Sequence, residues 1–519
     1  MPSDLVIVYH RQPYEEVEVD GRIERRENKS PNGIVPTLKS FFGKVGRGSW
    51  VAWKHAEDPA NPEFERVIEI EDSYGRYNVS RLPLTPEQVS SFYHITSKEA
   101  FWPILHSFKD RYNYDPVDWN IFREVNAAFA EAAAAEADQN AVVWVHDYNL
   151  WLVPKYLRQI RPDVRISFFH HTPFPAADMF NVLPWRGEII GSLLACDVVG
   201  FHIPRYVNNF VSVARSMFDL GTVERRAVRD HLFSEGTALA ERTEPVSFNY
   251  DGRQVRVSAC PVGIDGDFVR ARADTYDTGS RVAEIRETLR DCRLILSVSR
   301  TDYTKGNIEQ LHTYERLLER RPELRGKVRL MLVSVEANRS MAAYEEVQNE
   351  IEQTVGRING RFGSFEWQPV ALMSKAIPFE QLVAYYRAAD IAWITPLADG
   401  LNLVCKEFVA ARTDGDGVLV LSEFAGAAVE LSSAVLTNPF SNRNMDAAID
   451  QALGMAEEER RDRMAALQAR VQAHSIRTWA DEQMRLFGPA EASAKPPAKT
   501  SATASAKTPK ITPLAPTGT

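Results

Sequence analysis

The sequence predicts an α/β protein of two βα halves joined by one hinge, with a cleft between them. Three observations carry this. Before residue 260, Ala141-Val-Val-Trp-Val145, Arg165 to Phe169 and Asp197 to Phe201 read as buried strands. They lead into His146-Asp147, His170-His171 and His202, of which His170 and His202 read as structural. Carboxyl ends of strands are where parallel α/β sheets carry their sites. Next, Cys260-Pro-Val-Gly-Ile-Asp265 carries the Pro and Gly of a crossover. Finally, the βα pattern restarts at Arg293, with strands expected at Arg293 to Ser299, Val328 to Val335, Asp390 to Thr395 and Gly417 to Leu421. Between the first two, Ile308, Leu311, Tyr314 and Leu317 have helical spacing. A chain of 519 residues exceeds what one core supports. The expectation is two Rossmann-like domains, over 1–262 and 263–465.

In chain order, Leu5 to Tyr9 reads as the first buried strand, with Arg11 at its end. Residues 18–32 are polar and read as a loop or small hairpin. Asn32-Gly33 is a turn signal before a helix near Ile34 to Phe42, and a glycine there could close over a phosphate. Trp50 to Trp53 and Val79 to Leu82 look like strands, Ser91 to His106 like an aromatic-rich helix, and Phe122 to Ala137 like an alanine-rich one. Val255 to Ala259 ends the first half. Arg339 precedes a helix over Met341 to Val355, and Glu457 to Phe487 reads as helices. Residues 489–519 are rich in Ala, Pro, Thr, Ser and Lys without an apolar face, so disorder is expected.

Composition narrows the function. A net charge of −9 gives no general attraction to nucleic acid or acidic membranes, so any anion site must be local. No run of 18 apolar residues and no signal peptide is found, which points to the cytoplasm. Cys196, Cys260, Cys292 and Cys405 show neither metal-ligand spacing nor pairing, and read as reduced thiols.

Two stretches carry the chemistry. Thr395-Pro-Leu-Ala-Asp-Gly-Leu-Asn-Leu-Val-Cys-Lys-Glu407 runs from a strand into a helix, with Gly400 free to take angles other residues avoid. The helix start, at Asn402, Leu403 and Val404, offers amides to an anion. Asp399 and Glu407 beside it suit a ligand with hydroxyls next to phosphates, as in a nucleotide sugar. In Ser299-Arg-Thr-Asp-Tyr-Thr-Lys-Gly306, Arg300 and Lys305 flank a strand-to-helix loop and could neutralise a leaving diphosphate. No Asp-x-Asp stands where a metal-bridged diphosphate needs one, so neither metal nor cofactor is expected.

Those two stretches resemble the donor-site motifs of the trehalose-6-phosphate synthase family, retaining glycosyltransferases of the two-domain GT-B fold. Lys29-Ser-Pro-Asn-Gly-Ile34, Phe92-Tyr-His-Ile-Thr-Ser-Lys-Glu-Ala-Phe-Trp102, His146-Asp-Tyr-Asn-Leu-Trp151 and Phe169-His-His-Thr-Pro-Phe-Pro175 look closer to its glucosylglycerol-phosphate-forming branch. Asn32-Gly33, where trehalose-forming members carry two glycines, agrees with that branch. So do Ala398, which replaces a common Arg, and Phe379-Glu-Gln-Leu382, which lacks an Arg used for glucose 6-phosphate. The resemblance implies ADP-glucose as donor, sn-glycerol 3-phosphate as acceptor and a role in compatible-solute synthesis under salt stress. It implies transfer in which the leaving phosphate takes the acceptor's proton. Arg300, Lys305, His171 and Asp147 would act at the reacting centre. Gly33, Asp399, Gly400, Asn402, Leu403, Val404 and Glu407 would hold the donor. Arg11, Tyr93, Trp102 and Arg339 would hold the acceptor. A last helix, 466–488, would return to the first domain. Partners would be the two substrates, a separate downstream phosphatase and at most further copies of the chain, with no nucleic acid and no membrane. The alternatives are trehalose-6-phosphate synthesis from glucose 6-phosphate and, in another class, a non-catalytic sugar-phosphate sensor.

Overall fold

A computed structural model describes residues 2–19, 22–27, 33–336 and 342–488. Arg339, residues 29–32 of the first branch-like stretch and the tail from 489 lie outside the described residues.

Two separate sheets form, as the restart of the βα pattern requires. The first has ten strands. Its parallel centre runs Arg253–Ala259, Val198–Phe201, Arg165–Phe169, Ala137–His146, Ser3–Val8, Gly48–His55 and Gly75–Leu84. Antiparallel strands Val67–Asp72 at one edge, and Thr243–Tyr250 with Val223–Ala227 at the other, escape the sequence reading. Val67–Asp72 alternates polar and apolar residues, Val223–Ala227 is largely polar and exposed, and Thr243–Tyr250 is broken by Glu244, Pro245 and Ser247, so none reads as an apolar run. The chain builds outward from Ser3–Val8 in one direction, then returns to add Ala137–His146 on its other side. The order therefore reverses between those two strands, and a crevice opens at their carboxyl ends.

The second sheet has six strands, all parallel, in the order Val370–Met373, Val328–Val335, Arg293–Arg300, Ile391–Ile394, Val418–Ser422 and Val435–Thr437. Its reversal falls between Arg293–Arg300 and Ile391–Ile394. Each sheet thus places one reversal where the sequence carries its polar motifs. Glu15–Val19 and Arg22–Arg26 pair antiparallel as a separate two-stranded sheet.

One apolar cluster runs from Ile7, Trp50 and Trp144 on the first sheet to Leu296, Ile394 and Leu421 on the second. The helix Ile476–Phe487 sits in it. Trp479 packs 5.5 Å from the rings of Phe41 and Trp144, and its Nε1 donates to Cys260 O at 3.1 Å. A Cβ on Gly263 would lie 2.2 Å from the Ser475 backbone, so the crossover tolerates only glycine there. Lys406 and Glu430, both 2% exposed, pair at 2.7 Å, and Lys406 Nζ also donates to Val262 O at 2.9 Å.

Candidate active site

On the second sheet, Arg293–Arg300 ends at the cleft and a single helical turn, Tyr303–Lys305, leads into the helix Asn307–Arg320. Gly306, at φ 70°, packs so closely that a Cβ would lie 2.2 Å from Thr395 O. The two loops are therefore locked backbone to backbone. That lock sets Lys305 Nζ 2.8 Å from Asp399 Oδ2. Asn402 Nδ2 donates to the same oxygen at 3.2 Å, and its Oδ1 accepts from Cys405 N at 3.1 Å at the start of the helix Val404–Ala411. Burial pushes the Asp399 carboxyl up, but Lys305 and Asn402 together hold it below the usual carboxylate range. Arg300 is half-exposed and 3.9 Å from Asp302.

On the first sheet, the two strands at the reversal deliver His10-Arg11 and His146-Asp147. Asp147 takes φ 70°, and its Oδ1 accepts from Tyr148 N at 3.1 Å and His171 N at 3.4 Å. Burial pushes its carboxyl up to about 6 against those two bonds. His171 Nε2 lies 3.1 Å from His146 Nδ1. Burial, with His146 and His202 adding to it, holds His171 well below the usual imidazole range, so it is neutral at pH 7. Arg11 Nη2 donates to Tyr93 Oη at 3.4 Å.

The lobes meet at Gly400, where a Cβ would lie 2.4 Å from His171 O. Tyr206 Oη donates to Asp399 O at 3.2 Å beside it. Two cavities open from this junction. One, of about 480 Å³, includes His171, Arg300, Lys305, Asp399 and the helix start at Asn402, Leu403 and Val404. The other, of about 290 Å³, includes Arg11, Tyr93, Trp102, Asp147 and Gly400. His171, Arg300, Lys305 and Asp399 line both. A ligand filling one cavity would touch a ligand filling the other.

Several expectations change. Gly400 does not take a left-handed conformation; that falls to Asn402, at φ 83°. The glycine is needed because the opposite loop leaves no room for a Cβ. Lys305 and Asp399, read from separate loops, pair with each other. Glu407 and Gly33 line neither cavity. Glu407 is 7% exposed and accepts from Tyr386 Oη at 2.9 Å, while Gly33 caps the helix Ile34–Lys39. His202, read as structural, lines the larger cavity with Ser299. Tyr9, Lys98 and Tyr148 were not singled out, yet line the smaller one. His170 stays structural: it is buried, with Nδ1 3.1 Å from Thr172 O.

The chain is similar to known proteins over nearly its whole length. The model of glycosyltransferase family 20 matches residues 3–488. A glucosylglycerol-phosphate synthase of Synechocystis sp. is 52% identical over 486 residues, 93% of this chain and 97% of the relative. A solved trehalose-6-phosphate structure from E. coli, bound with UDP-2-fluoro glucose, is 27% identical with a TM-score of 0.80, covering 93% of this chain and 98% of that one. An alpha,alpha-trehalose-phosphate synthase from Burkholderia xenovorans in complex with glucose-6-phosphate is 29% identical with a TM-score of 0.79, covering 93% and 100%. Two Rossmann-like halves facing across a cleft are the GT-B architecture, and the chain belongs to glycosyltransferase family 20.

Proposed function

We propose that the protein transfers glucose, with retention, from ADP-glucose to sn-glycerol 3-phosphate. The product is 2-O-(α-D-glucosyl)-sn-glycerol 3-phosphate. The observation that carries this is 52% identity to a glucosylglycerol-phosphate synthase, against 39% to a trehalose-6-phosphate synthase of Mycolicibacterium gilvum. The larger cavity takes the nucleotide sugar. Arg300, Lys305 and the amides at Asn402, Leu403 and Val404 hold its diphosphate, and Asp399 holds both Lys305 and glucose hydroxyls. The smaller cavity takes the acceptor, with Arg11, Tyr93 and Trp102 around its phosphate end and Asp147 on a hydroxyl. Arg339 belongs on the same acceptor by its sequence match. Glu407 supports the donor by bracing Tyr386, and Gly33 by starting the helix whose Ile34 and Thr37 line the donor cavity.

The sugar's C1–O bond breaks with its electron pair going to the diphosphate. The acceptor's O2 bonds C1 from the same face and passes its proton to the departing phosphate oxygen. Both carboxylates at the junction are already engaged, Asp399 by Lys305 and Asp147 by two backbone amides. That supports a route without a carboxylate-bound glucose. Stabilising the leaving diphosphate is then the main contribution of the protein. His171, neutral and beside both cavities, orients the transferred glucose by a hydrogen bond.

In this reading residues 1–262 form the acceptor lobe and 263–465 the donor lobe, with 466–488 returning to the first. The enzyme works in the cytoplasm, and a separate phosphatase releases the compatible solute. Proton NMR of the product from ADP-glucose and glycerol 3-phosphate tests the assignment. An α-anomeric signal with the link at glycerol C2 is expected; a β-anomer or a different linkage overturns it.

A further inference from the structure

We infer that Lys98 binds the phosphate of the acceptor and thereby selects a short phosphorylated acceptor over a hexose phosphate. The inference rests on the reading that the cavity beside Asp147 receives the acceptor.

The backbone puts Lys98 there in an unusual way. Residues Ser90–Phe101 wind as a π-helix, with bonds from i to i+5. On an α-helix, residues five apart point about 140° away from each other. The wider winding brings Tyr93 and Lys98 onto one face, and Trp102 follows them. Lys98 Nζ lies 5.6 Å from the Tyr93 ring centre and 4.1 Å from that of Trp102. All three line the smaller cavity together with Arg11 and Arg300.

What distinguishes Lys98 is the lack of a counter-ion. Lys305 pairs with Asp399, Lys406 with Glu430, and Lys39 with Asp72. Among the described residues, no carboxylate forms an ion pair with Lys98. Burial holds its ammonium below the usual lysine range, and Arg300 and Arg11 push the same way, against Tyr93 and Asp302. Two arginines and a lysine around one small cavity repel each other when it is empty. A phosphate dianion reverses that balance and takes charge-assisted hydrogen bonds from all three. The Lys98 ammonium also covers the Trp102 face on which a longer sugar phosphate would lie.

The test compares full-length wild type, Lys98→Met and Lys98→Arg. Methionine keeps the stem and the aromatic contact but removes the charge. Lys98→Met should raise KM for glycerol 3-phosphate about tenfold or more. Its kcat and its KM for ADP-glucose should stay within about threefold, with unchanged Tm. Lys98→Arg should recover most of the acceptor KM, and preference for glycerol 3-phosphate over glucose 6-phosphate should fall in Lys98→Met. Inorganic phosphate should compete with the acceptor in the wild type, more weakly in Lys98→Met. An unchanged acceptor KM, or equal rises in both KM values, overturns the inference. If Lys98→Met does not fold, trinitrophenylation of wild-type Lys98, read by mass spectrometry, decides. Protection by glycerol 3-phosphate supports the role, and its absence refutes it. Wild-type use of glucose 6-phosphate in place of glycerol 3-phosphate would remove the acceptor assignment and the claimed selectivity. The same KM comparison with that acceptor would still decide whether Lys98 binds phosphate.

Discussion

On the donor side of the cleft, the polar side chains come from two short segments, 299–307 and 395–407, and already hold one another. Lys305 grips Asp399, Asn402 ties Asp399 to the helix start, and Tyr386 braces Glu407. On the acceptor side, Arg11, Asp147 and the stretch with Tyr93, Lys98 and Trp102 come from three distant places. Their cations, Arg11, Lys98 and the shared Arg300, are only loosely engaged. Arg11 makes one bond of 3.4 Å, and Arg300 stays 3.9 Å from Asp302. The cavity proposed for the donor is thus preorganised and electrostatically balanced, while that proposed for the acceptor carries surplus positive charge. Preorganisation suits groups that must stabilise a leaving diphosphate. Surplus charge suits recognition of a dianion.

The contrast can be broken at several points. The largest effect is expected from Lys406→Ala, which strands Glu430 in the core and frees the Val262 carbonyl. Removing one partner of a buried pair costs about 3–5 kcal/mol, so denaturant titration should show a large drop in stability. Lys305→Ala should cost about 2–4 kcal/mol of transition-state stabilisation, with some loss of Tm as Asp399 loses its partner. Its kcat should fall far more than any acceptor KM changes. Gly400→Ala should cost about 1–3 kcal/mol, because the new methyl meets the His171 carbonyl and pushes the lobes apart. Donor and acceptor parameters should worsen together there, unlike in Lys305→Ala. Smaller still is a pH effect. Asp147, pushed up to about 6, protonates as pH falls through that value and stops accepting a hydroxyl. So kcat/KM should decline below about pH 6, and Asp147→Asn should flatten that limb at a lower plateau. Stability moves the opposite way to activity. The raised carboxyl favours folding below its unfolded value near 4, and that contribution is lost as pH rises through about 6. Removing residues 489–519 should change neither kcat nor Tm.

Much of the fold is legible in the sequence because central parallel strands are buried on both faces and read as apolar runs. Ser3–Val8, Arg165–Phe169 and Val328–Val335 stand out this way. The edge strands Val67–Asp72 and Val223–Ala227 do not, since half the side chains of the first and most of those of the second face water. The donor residues Arg300, Lys305 and Asp399 were legible because each lies within a few residues of a strand end. The Lys305–Asp399 pairing was not, because no local spacing links residues on neighbouring strands. Gly400 shows the same limit: its glycine serves a contact with residue 171, invisible to any turn rule. Lys98 was overlooked for a different reason. On the wheel of an ordinary helix it faces away from Tyr93, and only the π-winding brings them together. His202 was set aside because a lone histidine gives no sign of which cavity it faces.

The most direct measurement is nucleotide release when the purified protein meets ADP-glucose or UDP-glucose, each with glycerol 3-phosphate or glucose 6-phosphate. Release from ADP-glucose with glycerol 3-phosphate, and little with glucose 6-phosphate, is the expected result. Release with glucose 6-phosphate and none with glycerol 3-phosphate would contradict the account and make this a trehalose-phosphate-forming enzyme.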